Sequence, residues 1–172
     1  MNRPVRRARA LLTKATDGKL PIRVERIAEH LGATISYEPY KGDLSGLLYR
    51  EGTDIVIGVN SSHSTTRQRF TIAHEIGHLL LHTGRMMFVD KAIAFRDHAS
   101  SLGTNKQEIE ANAFAAELLM PESSVLSEAK KLLEPDKPIA AERMVKELAQ
   151  VFQVSPQSIQ YRLANLGIFL PA

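Results

Sequence analysis

Apolar positions along this chain recur mostly at three- and four-residue spacing, the period of helices that bury one face. The first such stretch covers residues 4–16, opened by Pro4, whose fixed φ suits a first helical turn, and closed before Asp17-Gly18. A second runs from Val24 to Leu31, with Ile27, Ala28 and Leu31 on one face and Gly32 as its stop. The character then changes. Ala33–Tyr37 reads as a strand broken by Pro39, and Leu44–Tyr49 and Asp54–Val59 are apolar, β-branched or aromatic runs joined by Arg50-Glu51-Gly52-Thr53, a hairpin signal. After a polar, cap-rich loop at 60–66, helical spacing returns from Arg67 to His82.

From Gly84 to Asn105 no period holds, which predicts an irregular loop. Helices are predicted again over Lys106–Met120, stopped by Pro121, and over Ser123–Leu133. Pro135 and Pro138 mark a linker, and two short helices follow at Ala140–Phe152 and Pro156–Asn165. The order predicts an α+β fold: a mostly helical core with a small antiparallel sheet, then a C-terminal helix pair. The linker divides the chain into 1–134 and a helical appendage, 135–172.

Within the helix of residues 67–82 lies His74-Glu75-Ile76-Gly77-His78, an H-E-x-x-H pattern. Residues i and i+4 share a helix face about 6 Å apart along the axis, so the two imidazoles can close on one metal ion. Glu75 projects from the side of the same cleft, placed to act on water rather than to bind the metal. Phe70, Ile72, Ala73, Ile76, Leu79, Leu80 and Leu81 surround the polar trio, as in a buried helix. Ionisable groups in such a setting are costly without a partner, and a metal supplies one. Gly77 leaves room between the histidines for another backbone to approach.

Composition narrows the choices. Cysteine is absent, which excludes disulfides and thiolate zinc sites and leaves His and carboxylate as ligands. A hydrophobic share of 44% and a charged share of 24% are those of an ordinary soluble domain. No apolar run is long enough to span a membrane and no secretory signal is visible, so a cytoplasmic location is expected. The net charge of +3 is concentrated in Arg3, Arg6, Arg7 and Arg9, which read as the solvated face of a first helix in preference to a nucleic-acid contact or a transit peptide.

Hydrolytic zinc sites take three protein ligands and leave a position for water. His82 fails as the third, because it stands about 12 Å along the axis from His74; it reads as a supporting or structural residue. The longer H-E-x-x-H-x-x-G-x-x-H pattern also fails, because the positions needed hold Leu81 and Gly84. A better source is the helix after the loop, where Ala111, Phe114, Ala115, Leu118 and Leu119 form an apolar stripe with Glu108 at its edge. Small residues at 111 and 115 would let this helix pack closely on the first, bringing Glu108 to face the imidazoles. Asn112, one turn on, could then hydrogen-bond a ligand histidine from behind. Glu110 points about 200° away from Glu108 and reads as solvated.

The two segments together, His74-Glu75-Ile76-Gly77-His78-Leu79-Leu80-Leu81-His82 and Glu108-x-x-Ala111-Asn112-x-Phe114-Ala115-x-x-Leu118-Leu119-Met120-Pro121, resemble the ImmA/IrrE family of metallopeptidases. The resemblance covers residues 20–125 most closely. It implies a zincin-like core and a zinc-dependent endopeptidase in which His74, His78 and Glu108 hold one Zn2+ per chain and Glu75 is the general base. It further implies a protein substrate inside the cell, a helix-turn-helix repressor whose cleavage alters gene regulation. Some members carry an additional C-terminal sensor domain; none is expected here, so sensing would fall to another component. For a second donor to the developing oxyanion the sequence offers His98, Tyr49, Arg96 and His82, with His98 ranked first because it lies in the aperiodic loop.

The C-terminal helices support a reading of another class. Leu148-Ala149, Phe152-Gln153-Val154-Ser155 and Ile159 resemble a helix-turn-helix, although Gln153 stands where glycine is usual and Arg162 where an apolar residue is expected. The alternative is therefore a DNA- or protein-binding regulatory module with a vestigial or structural metal site, with Gln157, Gln160, Tyr161 and Arg162 available for a weak DNA contact.

Overall fold

The two spacings in the sequence become seven helices and one four-stranded sheet among the described residues. The structure is a computed structural model and describes residues 2–82, 87–91, 102–133 and 139–168. Helices α1 (Arg3–Ala15) and α2 (Val24–His30) lead into β1 (Ala33–Glu38), β2 (Leu44–Glu51) and β3 (Asp54–Asn60). Helix α3 (Thr65–Leu81) carries the H-E-x-x-H pattern and is followed by β4 (Met87–Lys91) and α4 (Leu102–Leu119). Helices α5 (Glu122–Leu132), α6 (Ala141–Phe152) and α7 (Pro156–Asn165) complete the described chain.

The strand order is β1-β3-β2-β4. β2 and β3 form the expected antiparallel hairpin, with Glu51 opposite Asp54 and a tight turn in which Gly52 takes a φ of 56°. β1, however, joins β3 in parallel, Ala33 opposite Ile55, so the sheet is mixed rather than antiparallel throughout. The hairpin inserts β3 between β1 and β2, and the run Ile55-Val56-Ile57-Gly58-Val59 suits a strand paired on both sides. β4 adds to the free edge of β2 with Val89 opposite Leu47, inside the stretch expected to be a loop. Helix α4 likewise starts at Leu102, earlier than the predicted Lys106.

Helix α3 is sandwiched, which explains why it is apolar nearly all round. On one side it lies on β2, where Gly46 permits the approach: a Cβ there would stand 2.3 Å from Thr71 Cγ2 and 3.5 Å from Glu75 Oε1. On the other side it meets α4, where Gly77 faces Ala111; a Cβ at 77 would be 3.2 Å from both the Cα and the O of Ala111. This is the close approach that the small residues predict, and it fixes α4 beside the two histidines.

One cluster of buried apolar side chains runs from Ala8 through Ile72, Ile76 and Phe114 to Met144, Phe152 and Ile159. Two buried arginines tie its parts together. Arg69 on α3 donates to the carbonyl of Ile22 at 2.9 Å and to that of Gln153 at 3.2 Å. Gln153 is held in the left-handed region, φ 50°, between α6 and α7, where a glycine would sit more easily. Arg162 interrupts the apolar pattern of α7 because it is paired: it donates to Met120 O at 3.0 Å and to the buried carboxylate of Glu117, which also receives Arg9 of α1 at 2.7 Å. Arg9 binds Glu122 as well, so part of the N-terminal basic run is spent on internal contacts rather than left to solvent.

Candidate metal centre

His74, Glu75 and His78 are buried on α3, each at most 1% exposed. The i, i+4 spacing sets the two imidazoles edge to face, with Nε2 of His74 3.0 Å from Nε2 of His78. From α4, Glu108 brings Oε2 to 3.1 Å from His74 Nε2 and Oε1 to 3.4 Å from His78 Nε2. One donor atom from each of the three lies within 4.8 Å of the others.

The hydrogen bonds behind the rings determine what these atoms offer. Nδ1 of His74 lies 3.0 Å from the side-chain oxygen of Asn112. That oxygen can only accept, so Nδ1 carries the proton and Nε2 presents a lone pair. Nδ1 of His78 lies 3.1 Å from Nδ1 of His82, whose Nε2 lies 3.0 Å from a carboxylate oxygen of Glu110. The carboxylate accepts a hydrogen bond from His82 Nε2–H, His82 Nδ1 accepts from His78 Nδ1–H, and Nε2 of His78 also presents a lone pair. Glu108 Oε2 is buried without an aligned hydrogen-bond donor, despite its 3.1 Å contact with His74. Three electron-pair donors thus converge, and they repel unless a proton or a metal cation stands among them. Two imidazoles and a carboxylate on rigid helices, with the far side of each ring hydrogen-bonded, fit a divalent metal such as zinc.

The charges agree. Burial pushes the His78 imidazole below its ordinary value, so it favours the neutral form that ligates. Burial pushes Glu108 up, but when no metal is bound a proton held among the donor atoms lets the imidazoles of His74 and His78 hydrogen-bond the carboxylate, which outweighs burial and holds the carboxyl at about 2. Cations also cap the C-terminal end of α3: Arg3 donates to Leu81 O at 3.1 Å and Arg50 to His82 O at 3.3 Å.

The structure therefore brings together His74, His78 and Glu108, puts Asn112 behind His74 as the sequence suggests, and keeps His82 out of the donor cluster. Glu110 is a correction: far from being solvated, it is half-buried and holds His82. Viewed down α4 from Ala111, the contact with Gly77, Glu108 lies about 60° to one side and Glu110 about 100° to the other, so both reach α3. Among the candidates for a second donor, His82 is committed to the back of His78, and Tyr49 hydrogen-bonds the carboxylate of Glu51 on its own strand. His98 and Arg96 lie outside the described residues.

A donor set of this kind, on two helices packed beside a small sheet, is that of a metal-dependent peptidase with an α+β, zincin-like core. The sequence model of a peptidase family described as the IrrE N-terminal-like domain matches residues 28–164, and the chain belongs to this ImmA/IrrE metallopeptidase family. The chain is also similar to metallopeptidase ImmA of Bacillus subtilis (strain 168), 27% identical over 128 residues, which cover 74% of this chain and 68% of that protein. No helix among the described residues is long and apolar enough to cross a membrane.

Proposed function

We propose that this metallopeptidase is a zinc-dependent endopeptidase of the cytoplasm whose substrate is a helix-turn-helix repressor or a similar regulator. The observation that carries the enzymatic part is the convergence of three electron-pair donors, each imidazole hydrogen-bonded from behind. His74, His78 and Glu108 would hold one zinc per chain. When bound, zinc supplies Lewis acidity, acidifying water and polarising a peptide carbonyl. Glu75, the next residue after His74 and likewise buried, takes the proton from the attacking water and returns it to the leaving amine. His98 is proposed to donate a hydrogen bond to the developing oxyanion. The repressor as substrate, and with it a role in gene regulation, rests on the family resemblance.

We assign this chemistry to residues 1–134 and a bracing role to the helices of 135–172. As a DNA-reading element α7 is poorly equipped: its single cation, Arg162, is buried and bound to Glu117. The test compares the new protein N-termini formed in cells expressing wild type with those formed in cells expressing Glu75→Gln. A small set of cleavages that require Glu75, in a DNA-binding regulator, is the expected result. The same cleavages with both proteins would remove Glu75 as the base, and none with either would remove the endopeptidase assignment.

A further inference from the structure

We propose that Glu110 and His82 act as positioning residues for His78, forming a relay through which a carboxylate on α4 fixes a metal ligand on α3 via an intervening imidazole. The proposal rests on the metal reading above and adds to it two residues outside the donor cluster. Its basis is a continuous chain of contacts: Glu110 Oε2 to His82 Nε2 at 3.0 Å, His82 Nδ1 to His78 Nδ1 at 3.1 Å, and His78 Nε2 to His74 Nε2 at 3.0 Å. His82 and His78 are both buried, so water does not readily substitute for either partner.

The direction of the chain follows from what each group can offer. A carboxylate has only electron pairs, so His82 must donate from Nε2. A neutral imidazole has one N–H, so Nδ1 of His82 is left as an acceptor and His78 must donate from Nδ1. The lone pair of His78 is thereby forced onto Nε2, the atom that faces His74 and Glu108. Without Glu110, His82 could take the other tautomer, and two N–H groups could then oppose each other across the 3.1 Å gap. That state opposes metal binding, because His78 must give up its Nδ1 proton or rotate. The backbone of His82 is itself held, its N–H donating to His78 O at 3.0 Å and its carbonyl accepting from Arg50. The two ligands are thus supported differently: His74 by a neutral amide in direct contact, His78 by a charge two hydrogen bonds away.

Removing a hydrogen-bond partner of a ligand histidine lowers metal affinity by about 10- to 100-fold. The experiment measures zinc affinity by chelator competition for wild type, Glu110→Gln, His82→Phe and the double variant, with melting of the metal-free proteins in parallel. Glu110→Gln preserves shape at a half-buried position and carries the test even if His82→Phe folds poorly. The expected result is a loss of about tenfold for Glu110→Gln and at least as much for His82→Phe. The double variant should then be no weaker than His82→Phe, because Glu110 acts only through His82. Affinity in Glu110→Gln within about threefold of wild type, or losses that add in the double variant, overturns the relay while leaving the three-ligand site intact. Failure of wild type to bind zinc overturns both. A merely structural role for Glu110 would lower metal-free melting without this non-additive pattern in zinc affinity.

Discussion

Replacing Gly77 by alanine tests whether the contact between α3 and α4 sets the metal site. The new Cβ would stand 3.2 Å from Ala111 Cα, 3.2 Å from Ala111 O and 3.2 Å from Phe114 Cδ1. Carbon contacts are comfortable from about 3.5 Å, so α4 must withdraw by roughly a few tenths of an ångström; two of the three atoms are backbone and cannot rotate aside. Gly77 lies between the two histidines and Ala111 lies three residues after Glu108, so the withdrawal carries Glu108 away from both imidazoles. Metal–ligand distances tolerate only about 0.2 Å. Stability and affinity should therefore diverge. Alanine gains about 1 kcal/mol over glycine in a helix interior, while overpacking costs about 1–3 kcal/mol, so the metal-free protein should lose roughly 0–2 kcal/mol. For a chain of this size that is a fall of about 0–8 °C in melting temperature. Zinc affinity should fall by about tenfold, equivalent to 1.4 kcal/mol. Chelator competition and thermal melting read the two effects separately. Unchanged zinc affinity with a higher melting temperature would refute the reasoning, showing that α4 has slack and that the Gly77–Ala111 contact does not position Glu108.

Glu108→Ala should reduce zinc content from near one per chain to near zero after loading and desalting; equal content in both proteins would exclude Glu108 as a ligand. Arg162→Leu should destabilise the fold by about 2–4 kcal/mol, less than a fully orphaned buried charge because Arg9 still reaches Glu117. An unchanged urea midpoint would show that this pair is dispensable. Glu108 also predicts an acid dependence in the metal-free protein. Because its carboxyl is held at about 2, below the ordinary 4.5, its contribution to stability is complete above 4.5 and is lost as pH falls toward 2. The melting-temperature difference between wild type and Glu108→Gln should shrink across that window, and a constant difference would contradict the assignment.

What the sequence revealed of this site, and what it concealed, follows from the geometry of helices. Within one helix, spacing is enough: His74 and His78 meet because they are four residues apart, and the same rule excludes His82 from their metal. Yet four residues also separate His78 from His82, so the spacing that removes His82 from the donor cluster is what places it behind His78. Between helices, spacing needs an origin. Glu110 stands about 200° from Glu108 on α4, and taking Glu108 as the face toward α3 puts Glu110 in solvent. The contact line instead passes through Ala111, against Gly77, and from there both carboxylates lie within reach of α3. Gly77 and Ala111 were each visible as small residues, but only their pairing fixes the rotation of α4. The same distinction governs the sheet. The β2–β3 hairpin is encoded locally by Gly52 between two β-prone runs, whereas β4 exists because β2 offers an open edge for Met87–Lys91 to pair with. Arg162 shows the converse: a charge that breaks the local apolar pattern of α7 is explained by partners far back in the chain, Glu117, 45 residues earlier, and the carbonyl of Met120. Local rules thus reach the two proposed ligands on a single helix, whereas the residues that hold them in place are set by contacts between elements.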